Sequence, residues 1–142
     1  MRICILMGSP RLQGNTASLL KPIIARLKER GAEVEYITLA DKKIEPCVDC
    51  RVCQDVLDSF GCPLQDDTQE IFDAVLRSDC IVWATPIYSW SCTTPMKSVL
   101  DRFVRGMNKY YGKIKGPCHW EGKRCALVTT SGYNVEYAAG PF

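Results

Sequence analysis

The stretch that decides the fold is residues 2–20, "RICILMGSPRLQGNTASLL". Residues 2–7 form a short apolar run that stops at Gly8. A run this continuous reads as a strand buried on both faces. From Asn15 to Arg30, apolar residues recur at Leu19, Leu20, Ile23, Ile24 and Leu27, which is helical spacing. Asn15 is placed as the N-cap and Gly31 as the stop. In the loop between, Gly8 and Gly14 let the backbone curl tightly, and Ser9, Asn15 and Thr16 bring small polar side chains. The N–H groups at the start of the helix can then surround a phosphate. Arg11 adds a charge there or reaches a second ligand. Strand, glycine-bearing loop and helix in succession open a doubly wound sheet, whose ligands bind where strands end and helices begin. The loop is neither G-x-x-x-x-G-K-[ST] nor G-x-G-x-x-G, which disfavours nucleoside triphosphate hydrolysis and a dinucleotide fingerprint. Taken alone, it reads equally well as a polar turn with a helix cap.

The remaining sequence repeats the alternation. "EVEYITLA" (33–40) reads as a second strand, "DTQEIFDAVLRS" (67–78) as a helix with an acidic start, and "DCIVWATPIY" (79–88) as a third strand that stops at Pro86. Residues 94–107 read as a helix with Thr94 as N-cap and Pro95 at the first helical position. "RCALVTTSG" (124–132) reads as a fourth strand ending in a turn. Met96, Leu100 and Phe103 recur at helical spacing and belong to the core. "NKYYGKIKGPCHWEG" (108–122) reads as a surface loop carrying a solvated His119. The expected architecture is a single α/β domain over residues 1–142, with a parallel sheet covered on both faces.

Composition bounds the function. The 142 residues are 46% hydrophobic, enough for one sizeable core, and the formal net charge is only +2. Neither nucleic acid nor a membrane surface is the expected partner. No apolar run is long enough to span a bilayer. "MRICILMGSP" has too short an apolar run, and no cleavage pattern, for a signal peptide. Nine cysteines would suit a disulfide scaffold in a secreted protein. Here the count is odd, and several thiols sit inside apolar strands. A reducing, cytoplasmic compartment with mostly free thiols is the expectation. Cys4, Cys80 and Cys125 read as small core residues.

Cys47, Cys50, Cys53 and Cys62 form a cysteine-rich insertion over residues 47–62, "CVDCRVCQDVLDSFGC". A C-x2-C-x2-C run with a more distant fourth cysteine suits an iron–sulfur cluster better than zinc, which more often takes two separated pairs. Residues spaced three apart also lie along one face of a helix. The first three thiols read equally as small packing residues there.

"GSPRLQGNT", "ATPIYSWSCTTPMKSVLDR" and "TTSGY" fall in that order at the ends of the first, third and fourth strands. Together they resemble the flavodoxin-like NAD(P)H-dependent FMN reductases. "CVDCRVC…C…QDD" after the second strand resembles their iron–sulfur flavoprotein branch. The likeness covers essentially the whole sequence. The eight residues between Cys53 and Cys62 make a longer gap than that branch usually has.

The resemblance implies that Ser9, Arg11, Gly14, Asn15, Thr16 and Ala17 surround an FMN phosphate. Pro86, Ile87, Tyr88, Ser89 and Trp90 would line the ribityl chain and the ring edge. Thr130, Ser131, Gly132 and Tyr133 would close the other side of the ring. Cys47, Cys50, Cys53 and Cys62 would hold a 4Fe-4S cluster. The implied activity is that of an FMN-binding oxidoreductase taking electrons from NAD(P)H to an unknown acceptor. Its expected assembly is a homodimer or homotetramer with Trp90 near the interface. The rival readings are a flavodoxin-like electron carrier without pyridine-nucleotide activity, and a non-enzymatic module with a vestigial flavin site. A flavodoxin-like sheet has strand order 2-1-3-4-5. Only four strands are expected here, at 2–7, 33–40, 79–86 and 123–130, with the fourth an open edge. The fifth strand and last helix are expected to be missing, so the domain is expected to be incomplete at its C-terminal end.

Overall fold

Arg2–Met7 form β1 and Asn15–Glu29 form α1. Glu33–Thr38 form β2, Thr68–Arg77 α2, Cys80–Pro86 β3, Thr94–Met107 α3 and Arg124–Thr130 β4. A short helix, α4, covers Val135–Ala138. The computed structural model of the protein describes residues 1–138. Every strand pair in it is parallel, and the sheet order is β2-β1-β3-β4. This is the flavodoxin-like α/β architecture.

The unbroken apolar strands are explained by two cores. Successive side chains of a strand point to opposite faces. Ile3, Ile5 and Met7 of β1, with Val82 and Ala84 of β3, pack under α1 against Ala17 and Leu20. Cys4, Leu6, Ile81 and Trp83 point the other way, into a larger core with Ile71, Phe72 and Val75 of α2 and Met96, Val99 and Phe103 of α3. Both faces of β1 and β3 are therefore dry, and an alternating sequence would have left charges in one core. β4 differs. Cys125 and Leu127 are exposed and Cys80 is half-buried, so of the three strand cysteines only Cys4 is a core residue. Covered strands lie on one side of β4, and no strand pairs with its other edge among the described residues.

Several local expectations shift. Gly14, not Asn15, is the N-cap of α1, and that helix has no side-chain cap. Thr93, not Thr94, is the N-cap of α3, with Pro95 in its first turn. β2 ends at Thr38 and passes into a 3-10 turn over Leu39–Asp41. The segment 108–122 is more than a surface loop. Lys109 is fully buried in it, and His119 is half-buried, edge-on to Phe72 with ring centroids 6.0 Å apart. The His119 Nε2 is buried without a hydrogen-bond partner among the described residues. The backbone N–H of His119 donates to the Met107 carbonyl at 2.8 Å, which folds the loop back onto the end of α3.

Candidate functional site

From β1 the chain crosses to β2 on one side, and from its neighbour β3 it crosses to β4 on the other, so the backbone leaves the sheet in opposite directions at the carboxyl ends of β1 and β3. That split opens a crevice where ligands bind in doubly wound folds. A cleft of about 270 Å³ lies there. Its first wall is the loop after β1, with Ser9, Arg11, Gly14, Asn15 and Thr16. Its second is the end of β3, with Pro86, Ile87 and Tyr88, and its third the end of β4, with Thr130, Ser131 and Gly132. Three segments distant in sequence thus meet at one place.

Backbone and hydroxyl bonds hold this meeting point. Gly8 N–H donates to the Ala84 carbonyl at 2.7 Å. The Thr93 hydroxyl donates to the Gly8 carbonyl at 2.7 Å. A Cβ at residue 8 would stand 2.9 Å from that hydroxyl and 3.1 Å from Met96, so only glycine permits the approach. Arg11 N–H donates to the Ser9 hydroxyl at 3.2 Å, which fixes the curl of the loop. The Thr16 and Thr130 hydroxyls are 2.8 Å apart and join the start of α1 to the end of β4. The first N–H groups of a helix have no intrahelical acceptor. In α1 no side chain takes them and no acid lies in the first turn. That end of the helix is a cradle for an anion.

The remaining cleft candidates sit apart from its lining. Ala17 is buried under α1 in the core and does not reach the cleft. Ser89 and Trp90 form a two-residue turn, with Tyr88 and Ser91 bonding each other's backbone at 2.7 and 2.9 Å. Both have left-handed backbones, at φ 48° and 64°. Such positions cost about 1–3 kcal/mol each without glycine and collect at ligand sites. The turn aims Trp90 at Tyr133. Their rings stack at 5.3 Å and 12°, both largely exposed at the rim.

The four cysteines of the insertion line a second, smaller pocket with Arg102 and Arg105 of α3. They do not lie along a helix. Asp49 and Arg51 have positive φ, at 48° and 61°, which no continuous right-handed helix allows. Those two residues reverse the backbone between successive cysteines and gather the thiols around one space. Among the described residues, no three of these side chains converge on a single ion-sized point. Zinc needs its thiolates on one centre at about 2.3 Å, whereas a cluster spreads them over several irons. Cys53 is buried, and burial pushes its thiol above the usual range.

Sequence reasoning missed the charged groups beneath this pocket. Arg102 is buried and pairs with Asp66, whose side chain is also buried. Its Nη1 donates to the Thr68 hydroxyl at 2.6 Å and its Nη2 to Cys62 Sγ at 3.2 Å. Asp66 further accepts from Glu45 N–H at 2.7 Å and Thr68 N–H at 3.1 Å. Lys109 donates to the Cys53 and Phe60 carbonyls, at 2.8 and 3.0 Å. Gln54, also buried, donates to the Asn108 carbonyl at 2.8 Å and accepts from Tyr111 N–H at 2.8 Å. A signal for Arg102 is present in the sequence: it follows Val99 by three on the apolar stripe of α3. Lys109 and Gln54 carry none.

The model of the NADPH-dependent FMN reductase family matches residues 1–139. An iron–sulfur flavoprotein of Methanocaldococcus jannaschii is 34% identical over 102 residues, covering 72% of this chain and 51% of that protein. One from Methanosarcina thermophila is 31% identical over 104 residues, covering 73% and 53%. The protein thus spans about half the length of the curated relatives it matches. Among solved structures, an NAD(P)H:quinone oxidoreductase from Methanothermobacter marburgensis aligns at TM-score 0.75 and 19% identity, over 99% of this chain and 69% of that one. At that identity the likeness is one of fold.

Proposed function

The chain belongs to the NADPH-dependent FMN reductase family, and from that premise we propose that it is a flavin oxidoreductase. It holds FMN in the cleft at the carboxyl ends of β1 and β3. It takes electrons from NAD(P)H and delivers them to an acceptor, with a 4Fe-4S cluster on Cys47, Cys50, Cys53 and Cys62 as a second redox centre. The observation that carries this reading is the meeting of three loops under an uncapped helix start. The cleft has an anion cradle at one end and flat aromatic side chains at the other.

The residues fit the cofactor. The first turn of α1, with Asn15 and Thr16, binds the phosphate through backbone N–H groups, and Ser9 and Arg11 complete the anion site. Ala17 supports that turn from the core. Pro86, Ile87 and Tyr88 line the path that leads to the ring, and Ser131 and Gly132 close the opposite side. Ser89 holds Trp90 against Tyr133 at the mouth, where both rings offer flat apolar surface. Bound FMN supplies hydride acceptance and onward electron transfer; the protein binds, orients and shields it. No side chain of the cleft needs to act as nucleophile or general base. The cysteine pocket fits a cluster through its thiol donors and its buried cations.

Anaerobic purification followed by an absorption spectrum, flavin release and an iron assay tests the reading. The expected result is one FMN and about four irons per protomer, with bleaching of the flavin on adding NADH or NADPH under argon. Flavin that binds but is not bleached would make the protein an electron carrier. Absence of flavin binding would make the cleft vestigial. The exposed rings of Tyr88, Trp90 and Tyr133 support a homodimer or homotetramer joined near the cleft. Light scattering at micromolar concentration should give twice or four times the protomer mass, and a monomer removes this part of the reading. All nine cysteines are free, which supports a reducing, cytoplasmic setting.

A further inference from the structure

Lys109 lies two residues beyond the end of α3 and is 0% exposed. Its Nζ donates to the carbonyls of Cys53 and Phe60. Both belong to the segment that runs from the third cysteine to the fourth. Among the described residues no carboxylate pairs with it. Asp58 acts on it only from an exposed position. Arg102, which lines the cysteine pocket, has Asp66 as its partner and points its second nitrogen at Cys62. Two buried cations therefore face one buried carboxylate, and one positive charge is in excess. Proteins seldom bury lysine without an anion. Two backbone carbonyls take two of its three donors and none of its charge. Four neutral thiols supply no anion, whereas four thiolates around an iron–sulfur cluster do.

We infer that Lys109 is the counter-charge of the cysteine-bound cluster, an ammonium fixed behind Cys53 and Phe60 that stabilises the anionic assembly and raises its reduction potential. The inference rests on the reading that the cysteine pocket holds such a cluster. Net charge around a cluster is among the quantities that set its potential, together with hydrogen bonds to the sulfurs. Reduction adds negative charge to the assembly, so a nearby fixed cation favours the reduced form.

The test compares the anaerobically prepared wild type with Lys109→Met, Lys109→Gln and Lys109→Arg. Iron content, FMN binding and a dithionite-poised paramagnetic resonance titration are the readouts. Lys109→Met and Lys109→Gln should keep FMN. They should either lose iron or shift the one-electron reduction equilibrium at least about tenfold toward the oxidised cluster, about 59 mV more negative. Lys109→Arg, which keeps the charge, should return the midpoint toward wild type. The glutamine retains donors for both carbonyls, so it separates charge from the clamp on the loop and decides the matter if Lys109→Met fails to fold. Full iron at an unchanged midpoint in Lys109→Gln would overturn the inference and leave the cluster reading standing. Unfolding of Lys109→Gln would make Lys109 a structural clamp and also overturn it. A wild type that binds FMN but no iron would sink the cluster reading itself, and the inference with it.

Discussion

At the scale of single residues, Thr16 does two things with one hydroxyl. It lines the cleft at the start of α1, and it meets Thr130 at the end of β4 at 2.8 Å. Thr16→Leu loses a hydrogen bond worth about 1 kcal/mol and fills the cradle with a larger apolar side chain. FMN affinity, read by flavin fluorescence quenching, should fall at least about tenfold, equal to about 1.4 kcal/mol, while the thermal transition stays cooperative. Unchanged affinity in a folded variant would remove the residue from the site. Asp66 gives a pH signature. Burial alone would push its carboxyl up, but hydrogen bonds from Arg102 and from the Glu45 and Thr68 N–H groups hold it below the ordinary 3.8. The unfolded protein therefore takes up the proton first as pH falls. Its stabilisation is complete above about that value and drains away as pH drops through the lower, folded one. Asp66→Asn should show no such step. At neutral pH it should be destabilised by about 3 kcal/mol, because Arg102 is left buried without its partner. Urea unfolding at several pH values measures both effects.

Among the elements, α3 shows what a pattern can and cannot reveal. Its apolar spacing and Pro95 are legible, so its length and buried face can be read. Its N-cap is displaced by one residue because Thr93 and Thr94 are chemically equivalent, and only the fold shows that Thr93 reaches the Gly8 carbonyl. The cysteine insertion is less legible. The spacing of Cys47, Cys50 and Cys53 fits a helix face and a metal loop alike. The positive φ values that separate the two fall on Asp49, whose residue type tolerates that conformation without announcing it, and on Arg51, whose type has no preference for it. Gly106 carries a further consequence. A Cβ there would stand 2.3 Å from the Phe60 ring. That ring is stacked on Phe72 at 4.7 Å and edge-on to Phe103 at 5.8 Å, so it has nowhere to go. Alanine gains about 1 kcal/mol of helix propensity over glycine and loses about 1–3 kcal/mol to overpacking. Gly106→Ala should come out neutral to destabilising by about 2 kcal/mol, against the gain expected at a solvated helix position. Thermal unfolding would show it.

For the whole molecule, the layering follows from the sequence because a parallel sheet demands unbroken apolar strands, and β1 and β3 supply them, whereas the strand order follows only from the resemblance to the flavodoxin-like reductases. Eleven of the fifteen expected flavin contacts line one cleft, since loops at the carboxyl ends of adjacent strands must converge. Ala17, Ser89, Trp90 and Tyr133 fall outside it because sequence order does not say whether a side group turns to the cleft, the core or the rim. β4 reads as buried from its apolar letters, yet Leu127 is 57% exposed. Apolar composition does not reveal whether a neighbour is there to cover it. One helix, finally, joins the two sites. Thr93, at the head of α3, holds the loop after β1 through Gly8, and Arg102, nine residues on, faces Cys62. At 1.5 Å per residue these anchors are about 13 Å apart along the axis. The spacing between the cleft and the cysteine pocket is thus machined into a rigid rod and does not depend on loop motion. A single alanine inserted after Lys97 would lengthen the rod by about 1.5 Å and rotate everything beyond it by about 100°. Arg102 and Arg105 would swing away from the thiols while the head of the helix stayed in place. Val99 and Phe103 would turn out of the core with them, so such a protein should come off the column without iron and unfold less cooperatively. Retention of iron and of a cooperative transition would mean that the gauge between the sites lies elsewhere.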